Sequence, residues 1–270
     1  MSLIFDQKTA LLYESWCRSS EGLSIDRSIE PMMLALMKPR PGERVLDIGC
    51  GSGNHLLILN KMGLDISGID ASPLMVEKAR QRLGHRCNLK RGKAEALPFD
   101  DNEFDLAVLI NALEFFDDPL QALREAGRIA KRRVFVGVIN SLSINGMLKT
   151  IQGYLGSPLF RHARFYNVWQ LKSLLNMAYG QAPTAWGSVK FKPFPLDKAT
   201  SFMYDPRKRD YSPFGSFLGV SVTLRYQVKA DSLPLKISLK KAGRSLIGAK
   251  TFGDLNRRKG VEEHERGLPL

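Results

Sequence analysis

Three glycines at alternate positions, Gly49, Gly51 and Gly53, follow the short apolar run Val45-Leu46-Asp47-Ile48 and precede Asn54-His55-Leu56-Leu57-Ile58-Leu59. The pattern predicts a strand, a tight elbow and a helix. Glycine accepts positive φ and lets a ligand approach where a Cβ would collide. The first amides of the following helix face the same opening, so the elbow is a cradle for a nucleotide. Gly-x-Gly-x-Gly alone is a weak signal; Asp47, two residues before the first glycine, narrows it. A dinucleotide site aims its glycine turn at a pyrophosphate, which a carboxylate here would repel. A ligand with a cationic end suits it better. S-adenosylmethionine has an α-amino group, a sulfonium and no phosphate.

A second acid stands where a ribose would lie. Leu64-Asp65-Ile66-Ser67-Gly68-Ile69-Asp70 reads as a strand ending on Asp70, whose carboxylate can accept both ribose hydroxyls. Ser72-Pro73 then starts a helix, with serine as cap and proline at its first position. Phe104 to Ile110 is apolar enough for a central strand covered on both faces. Its tip, Asn111 to Glu114, points to the ligand side of an open α/β sheet. Asp118-Pro119 opens a further helix, and Arg133 to Asn140 forms a further strand. Strands alternating with helices predict one doubly wound α/β domain.

Val45 to Gly53 resembles motif I of the class I S-adenosylmethionine-dependent methyltransferases. Gly92-Lys93-Ala94-Glu95-Ala96-Leu97-Pro98-Phe99 is similar to the adenine-side loop of the group that includes ubiquinone and menaquinone C-methyltransferases. Lys93 stands where that group usually has an acid. Lysine cannot accept a hydrogen bond, which leaves the Ala94 amide and Glu95 to serve the ring. Tyr13, Trp16, Gly22 and Glu30 match the group's N-terminal segment, which folds over the bound cofactor. Tyr13 and Trp16 share a helix face, and either wall off the sulfonium or pack on the core.

The resemblance implies a Rossmann-like, seven-stranded α/β/α sandwich with an antiparallel last strand. It places a helical cap at residues 1–40, a lid at 141–187 and the limit of the methyltransferase domain at 228. Val189 to Phe194 is expected as the sixth strand and Phe214 to Val228 as the seventh. The cofactor-binding residues it implies are Tyr13, Trp16, Asp47, Gly49, Cys50, Gly51, Gly53, Asp70, Ala71, Ala94, Glu95 and Asn111. Methyl transfer from a sulfonium needs a fixed base only if the acceptor must lose a proton, so no catalytic residue is assigned. Glu114 is the foremost candidate by position, against the plainer reading of a surface acid. His55 is expected to pack on the cofactor helix, and His162 to belong to the lid.

Charge divides the chain. Residues 1–140 carry 19 Lys/Arg and 19 Asp/Glu, whereas residues 141–215 carry 10 and 3, residues 216–228 add only Arg225, and residues 229–270 carry 10 and 5. The net charge of +13 therefore lies in the half expected to cover the substrate. Cys17, Cys50 and Cys87 have no metal or disulfide spacing, as in a reducing, cytoplasmic setting. No signal peptide or bilayer-length apolar run is read. Ser141 to Gly156 reads as a loop and an amphipathic helix, with Ile144, Met147, Leu148, Ile151 and Leu155 apolar. Asn167 to Met177 is a second helix. Residues 229–270 form a basic extension, read as solvated surface, as a segment resting on anionic lipid or, third, as a nucleic-acid contact. The expected activity is methyl transfer to a small molecule that is lipid-like, quinone-like or anionic. The alternatives are an RNA or protein methyltransferase and a cofactor-binding protein without catalysis.

Overall fold

A computed structural model describes residues 7–157, 160–189 and 211–224. Two N-terminal helices, α1 (Gln7–Arg18) and α2 (Ser20–Met37), lead into strand β1 (Arg44–Ile48). There follow α3 (Asn54–Lys61), β2 (Asp65–Asp70), α4 (Pro73–Leu83), β3 (Asn88–Arg91), β4 (Phe104–Ile110), α5 (Pro119–Ile129) and β5 (Ala130–Ile139). The second half supplies α6 (Ile144–Tyr154), α7 (Val168–Tyr179), β6 (Thr184–Val189) and β7 (Phe217–Thr223). The strands form one seven-stranded sheet in the order β3-β2-β1-β4-β5-β7-β6. The first five are parallel, and β7 runs antiparallel to both neighbours. The expected Rossmann-like α/β/α architecture is what the chain adopts.

Strand periodicity sorts the core onto two faces. Leu46, Ile48, Ala107, Leu109, Val134, Val136 and Val138 pack with Leu123 and Ala126 of α5 and Leu171 and Leu175 of α7. Val45, Ile66, Leu106, Val108, Ile110 and Phe135 pack on the other face, with α2, α3 and α4. Caps set the helix starts. Ser72 accepts from the Met75 amide ahead of Pro73, and Asp118 accepts from the Gln121 amide ahead of Pro119. Asn167 forms a full capping box with Gln170.

The sixth strand differs from expectation. It is Thr184–Val189, five residues earlier, paired Thr184↔Val222 through Val189↔Phe217; residues 190–194 lie outside the described residues. Ala185-Trp186-Gly187-Ser188 lacks the β-branched run that signals a strand. Cross-strand packing overrides that propensity, with Trp186 against Tyr211 (ring centroids 5.4 Å apart). Helix α6 is the larger surprise. Its apolar residues Ile144, Met147, Leu148, Ile151 and Leu155 face solvent, and Gly146 and Lys149 are its buried residues. A Cβ on Gly146 would overlap the Asn140 carbonyl oxygen. Gly146→Ala is therefore expected to destabilise the protein by about 1–3 kcal/mol, read as a lowered thermal midpoint. Among the described residues no helix is long and apolar enough to cross a membrane.

Candidate active site

The site forms where β1, β2 and β4 end. The glycine elbow hangs from β2: the Gly49 and Cys50 amides donate to the Ile69 carbonyl at 2.8 and 3.1 Å. Gly51 has φ +52°, and a Cβ there would point toward the Tyr13 ring, 3.7 Å away. Gly49 has φ +76°, and its Cβ would sit 2.6 Å from that of Ala112. A side chain at either position would be strained and would fill or distort the elbow. Asp70 clamps the turn. Its Oδ2 accepts from the Gly51 amide and its Oδ1 from the Ser72 amide, both at 2.9 Å. Burial raises the Asp70 pKa, and those two amides oppose the rise.

A concave cleft, the kind of place where small-molecule sites form, opens over this elbow. It is lined by Tyr13, Gly49, Gly51, Asp70, Ala71, Ala94, Glu95 and Asn111, all expected from sequence. Ile69, Met75, Ala112, Phe115 and Phe116 complete its apolar walls. Phe115 and Phe116 were not among the expected site residues; the signal for them is two large apolar residues just past a strand tip, a place loops usually fill with polar groups. Glu95 also braces the start of α5, where its Oε1 accepts from the Asp117 and Asp118 amides at 3.2 and 3.4 Å. Its loop is held from below by Arg128, which donates to the Phe99 and Leu97 carbonyls.

Asp47, Cys50 and Gly53 stand behind this wall. Cys50 is buried and packs toward Gly68, where a Cβ would come 2.9 Å from its Sγ. Asp47 is 1% exposed, and neither carboxylate oxygen has a hydrogen-bond partner among the described residues. Burial pushes its pKa up to about 7, with His55 pulling it down and Asp70 pushing it up. His55 lies 3.4 Å from Asp26. Burial lowers its pKa, but Asp26 and Asp47 outweigh that and hold it above the ordinary value. His55 thus packs inside, as expected.

A second, smaller and narrow cavity shares Tyr13, Asn111 and Phe115 with the first as lining residues. Trp16, Glu114, Ile139 and Phe160 complete it. Asn111 lies on both cavities, with φ +52° and a buried Oδ1 that has no hydrogen-bond partner among the described residues. Strain of this kind gathers at functional sites. Of the two readings of Glu114, the surface acid does not hold: it is 1% exposed. Its Oε1 accepts from the Ile139 amide at 2.8 Å, and its Oε2 has no hydrogen-bond partner among the described residues. Burial pushes its pKa up to about 7. His162 is exposed and lines neither cavity.

The methyltransferase domain family matches residues 46–136. An uncharacterised protein of Mycobacterium tuberculosis is 30% identical over 193 residues, covering 68% of this chain and 69% of its own length. This chain belongs to the class I S-adenosylmethionine-dependent methyltransferases. A demethylmenaquinone methyltransferase of Corynebacterium kroppenstedtii is 37% identical over 95 residues, or 35% of this chain and 40% of that enzyme. A crystal structure of an S-adenosylmethionine-dependent methyltransferase from Thermotoga maritima shares the fold, with a TM-score of 0.62 at 24% identity over 81% of this chain and 97% of that one. The chain spans between 32% and 69% of the length of its curated relatives.

The family's methyl donor is S-adenosylmethionine, and this methyltransferase's own residues fit it. Two carboxylates at the elbow, Asp47 and Asp70, disfavour a pyrophosphate and suit a ligand carrying ammonium and sulfonium charge. The space beside Gly51 stays open because it has no Cβ. Among the described residues no His/Cys/Asp/Glu group could hold a metal ion.

Proposed function

We propose that residues 1–228 form a methyltransferase domain whose larger cleft holds S-adenosylmethionine and whose smaller, aromatic chamber takes a flat, apolar, quinone-like or phenolic acceptor. The observation that carries this reading is that the chamber and the cleft share Tyr13, Asn111 and Phe115 in their walls. In it, Asp70 receives the ribose hydroxyls, the Ala94 amide serves the adenine, and the elbow amides lie along the amino-acid end. Asp47, one layer back and raised to about 7 by burial, ionises more readily when cationic charge sits there, so the two favour each other. When bound, the donor supplies an activated methyl group on sulfur. The protein's part is alignment and exclusion of water. Tyr13, Phe115 and Phe116 close the cleft, and the Asn111 Oδ1 orients what lies between the two chambers.

Glu114 is the proton acceptor in this reading. Its Oε1 is pinned by the Ile139 amide, and Oε2 takes the proton that a phenol or enol must lose as its oxygen or carbon is methylated. The narrow, largely apolar lining of the smaller chamber supports a small acceptor over a polynucleotide, so the RNA or protein reading comes second. The test supplies the full chain with methyl-labelled S-adenosylmethionine and phenols, quinols, a lipid extract, RNA and protein. Label in the phenol, quinol or lipid fraction is the expected result. Label confined to RNA or protein, or no transfer to any acceptor despite donor binding, overturns the reading.

A further inference from the structure

Helix α6 is built inside out. At 100° per residue, Ile144, Met147, Leu148, Ile151, Tyr154 and Leu155 fall within an arc of about 120°. All six are exposed, from 45% at Leu148 to 88% at Tyr154, and exposed Leu142 precedes them. The opposite face is made of small or polar residues and is the one seated on the domain. Gly146 leaves no room for a Cβ against Asn140, and a Cβ on Gly153 would lie 2.6 Å from the Phe160 carbonyl oxygen. Between them Lys149 turns inward, with its Nζ 4.9 Å from the Trp16 ring centroid and 4.8 Å from that of Phe160. Ordinary surface helices bury the apolar stripe and expose the polar one. Here the two glycines hold the helix down by its narrow side, so the apolar stripe stands free. A contiguous patch of this kind marks a docking surface.

Charge selects the occupant. Residues 141–189 contain no Asp or Glu, and they contain Lys149, Arg161, Arg164 and Lys172. Arg161 and Arg164 are exposed, and the Arg161 amide donates to the Ser157 carbonyl, in a turn that folds back on the end of α6. A second copy docked by the same face would set this basic rim against itself. The basic tail of residues 229–270 would meet it with like charge. An apolar stripe followed by exposed Arg161 and Arg164, in a stretch that carries no acid, instead matches a bilayer with anionic headgroups, where the stripe enters the acyl boundary and the arginines stay with the phosphates.

We infer that α6 is an interfacial helix that docks this enzyme on an anionic lipid bilayer through Leu142, Ile144, Met147, Leu148, Ile151 and Leu155. The position gives the contact a use. Trp16 and Phe160, the rings under Lys149, also wall the smaller chamber. Docking therefore brings the lipid phase next to the acceptor chamber. That use rests on the acceptor reading above, whereas bilayer binding itself does not.

The test is vesicle cosedimentation of the full chain, read without acceptor or turnover. Phosphatidylglycerol–phosphatidylcholine vesicles should retain the protein, and pure phosphatidylcholine vesicles should retain it at least tenfold less. Met147→Glu with Ile151→Glu should cut binding to the anionic vesicles at least tenfold while leaving S-adenosylmethionine affinity unchanged. Both residues are exposed, so the fold should tolerate the pair; a melting curve checks this. Independently, Ile151→Cys carrying an environment-sensitive fluorophore should shift to the blue on adding anionic vesicles. No binding by the wild-type chain overturns the inference, as does full binding by the double variant, which would assign the contact to the tail. Self-association of the wild-type chain that the double variant abolishes, with no vesicle binding, assigns the face to a second copy instead.

Discussion

Asp70→Ala is expected to weaken S-adenosylmethionine binding by roughly 10–100-fold, and Gly51→Val to abolish it within calorimetric range. Hydrogen bonds to a charged group are worth about 1.5–3 kcal/mol, and each 1.4 kcal/mol is a factor of about ten. Asp70 does more than meet the ribose, because its two oxygens also hold the Gly51 and Ser72 amides. Loss of the carboxylate removes a ligand contact and loosens the elbow that frames it. Asp70→Asn should therefore rescue little, since its amide nitrogen must face one of two backbone donors. Gly51→Val acts by another route. A β-branched residue at φ +52° is a backbone outlier, and its Cβ would project toward Tyr13 across the cleft mouth. Melting curves separate a folded, non-binding protein from an unfolded one. Unchanged affinity in both Asp70→Ala and Gly51→Val would remove this cleft as the cofactor site.

The parallel half of the fold was legible because each element carried its own boundary chemistry. Ser72-Pro73 and Asp118-Pro119 placed two helix starts, and buried strands such as Phe104–Ile110 read as continuous apolar runs. The second half lacks such punctuation. Strand β6 is held by its register with β7 and by Trp186 on Tyr211, and neither contact is local in sequence. Helix α6 shows the deeper limit. Its periodicity correctly announced an amphipathic helix, but periodicity does not say which face goes inward. Gly146 and Gly153 decided that by close approach, and a glycine in a helix reads locally only as a weak point. At the site, residues acting through backbone or ring edges fell where motif spacing put them. Glu114 did not: its strand-tip position was clear, but its burial depends on Ile139 and Arg164, which reach it from β5 and from the segment after α6.

Glu114→Gln is expected to stabilise the protein at pH 8 and to slow methyl transfer to a protic acceptor by about 100-fold or more, with S-adenosylmethionine affinity unchanged. Burial raises the Glu114 pKa from 4.5 to about 7, so between those values the folded state holds a proton that the unfolded state has lost. Stability then falls as pH rises through that window. At about 1.36 kcal/mol per unit, the loss approaches 3 kcal/mol and levels off above pH 7. Asp47, raised from 3.8 to about 7, adds a fall of the same sign. Glutamine stays neutral throughout, and its carbonyl can still accept the Ile139 amide. The variant should match the wild type near pH 4.5 and melt progressively higher than it toward pH 8. The pairing of readouts decides the role. Higher melting with lost transfer marks Glu114 as the base, because a merely buried acid would be relieved by the same substitution without cost to turnover. Higher melting with transfer retained would leave the acceptor to lose its proton to solvent, and would reduce Glu114 to the brace that holds Ile139.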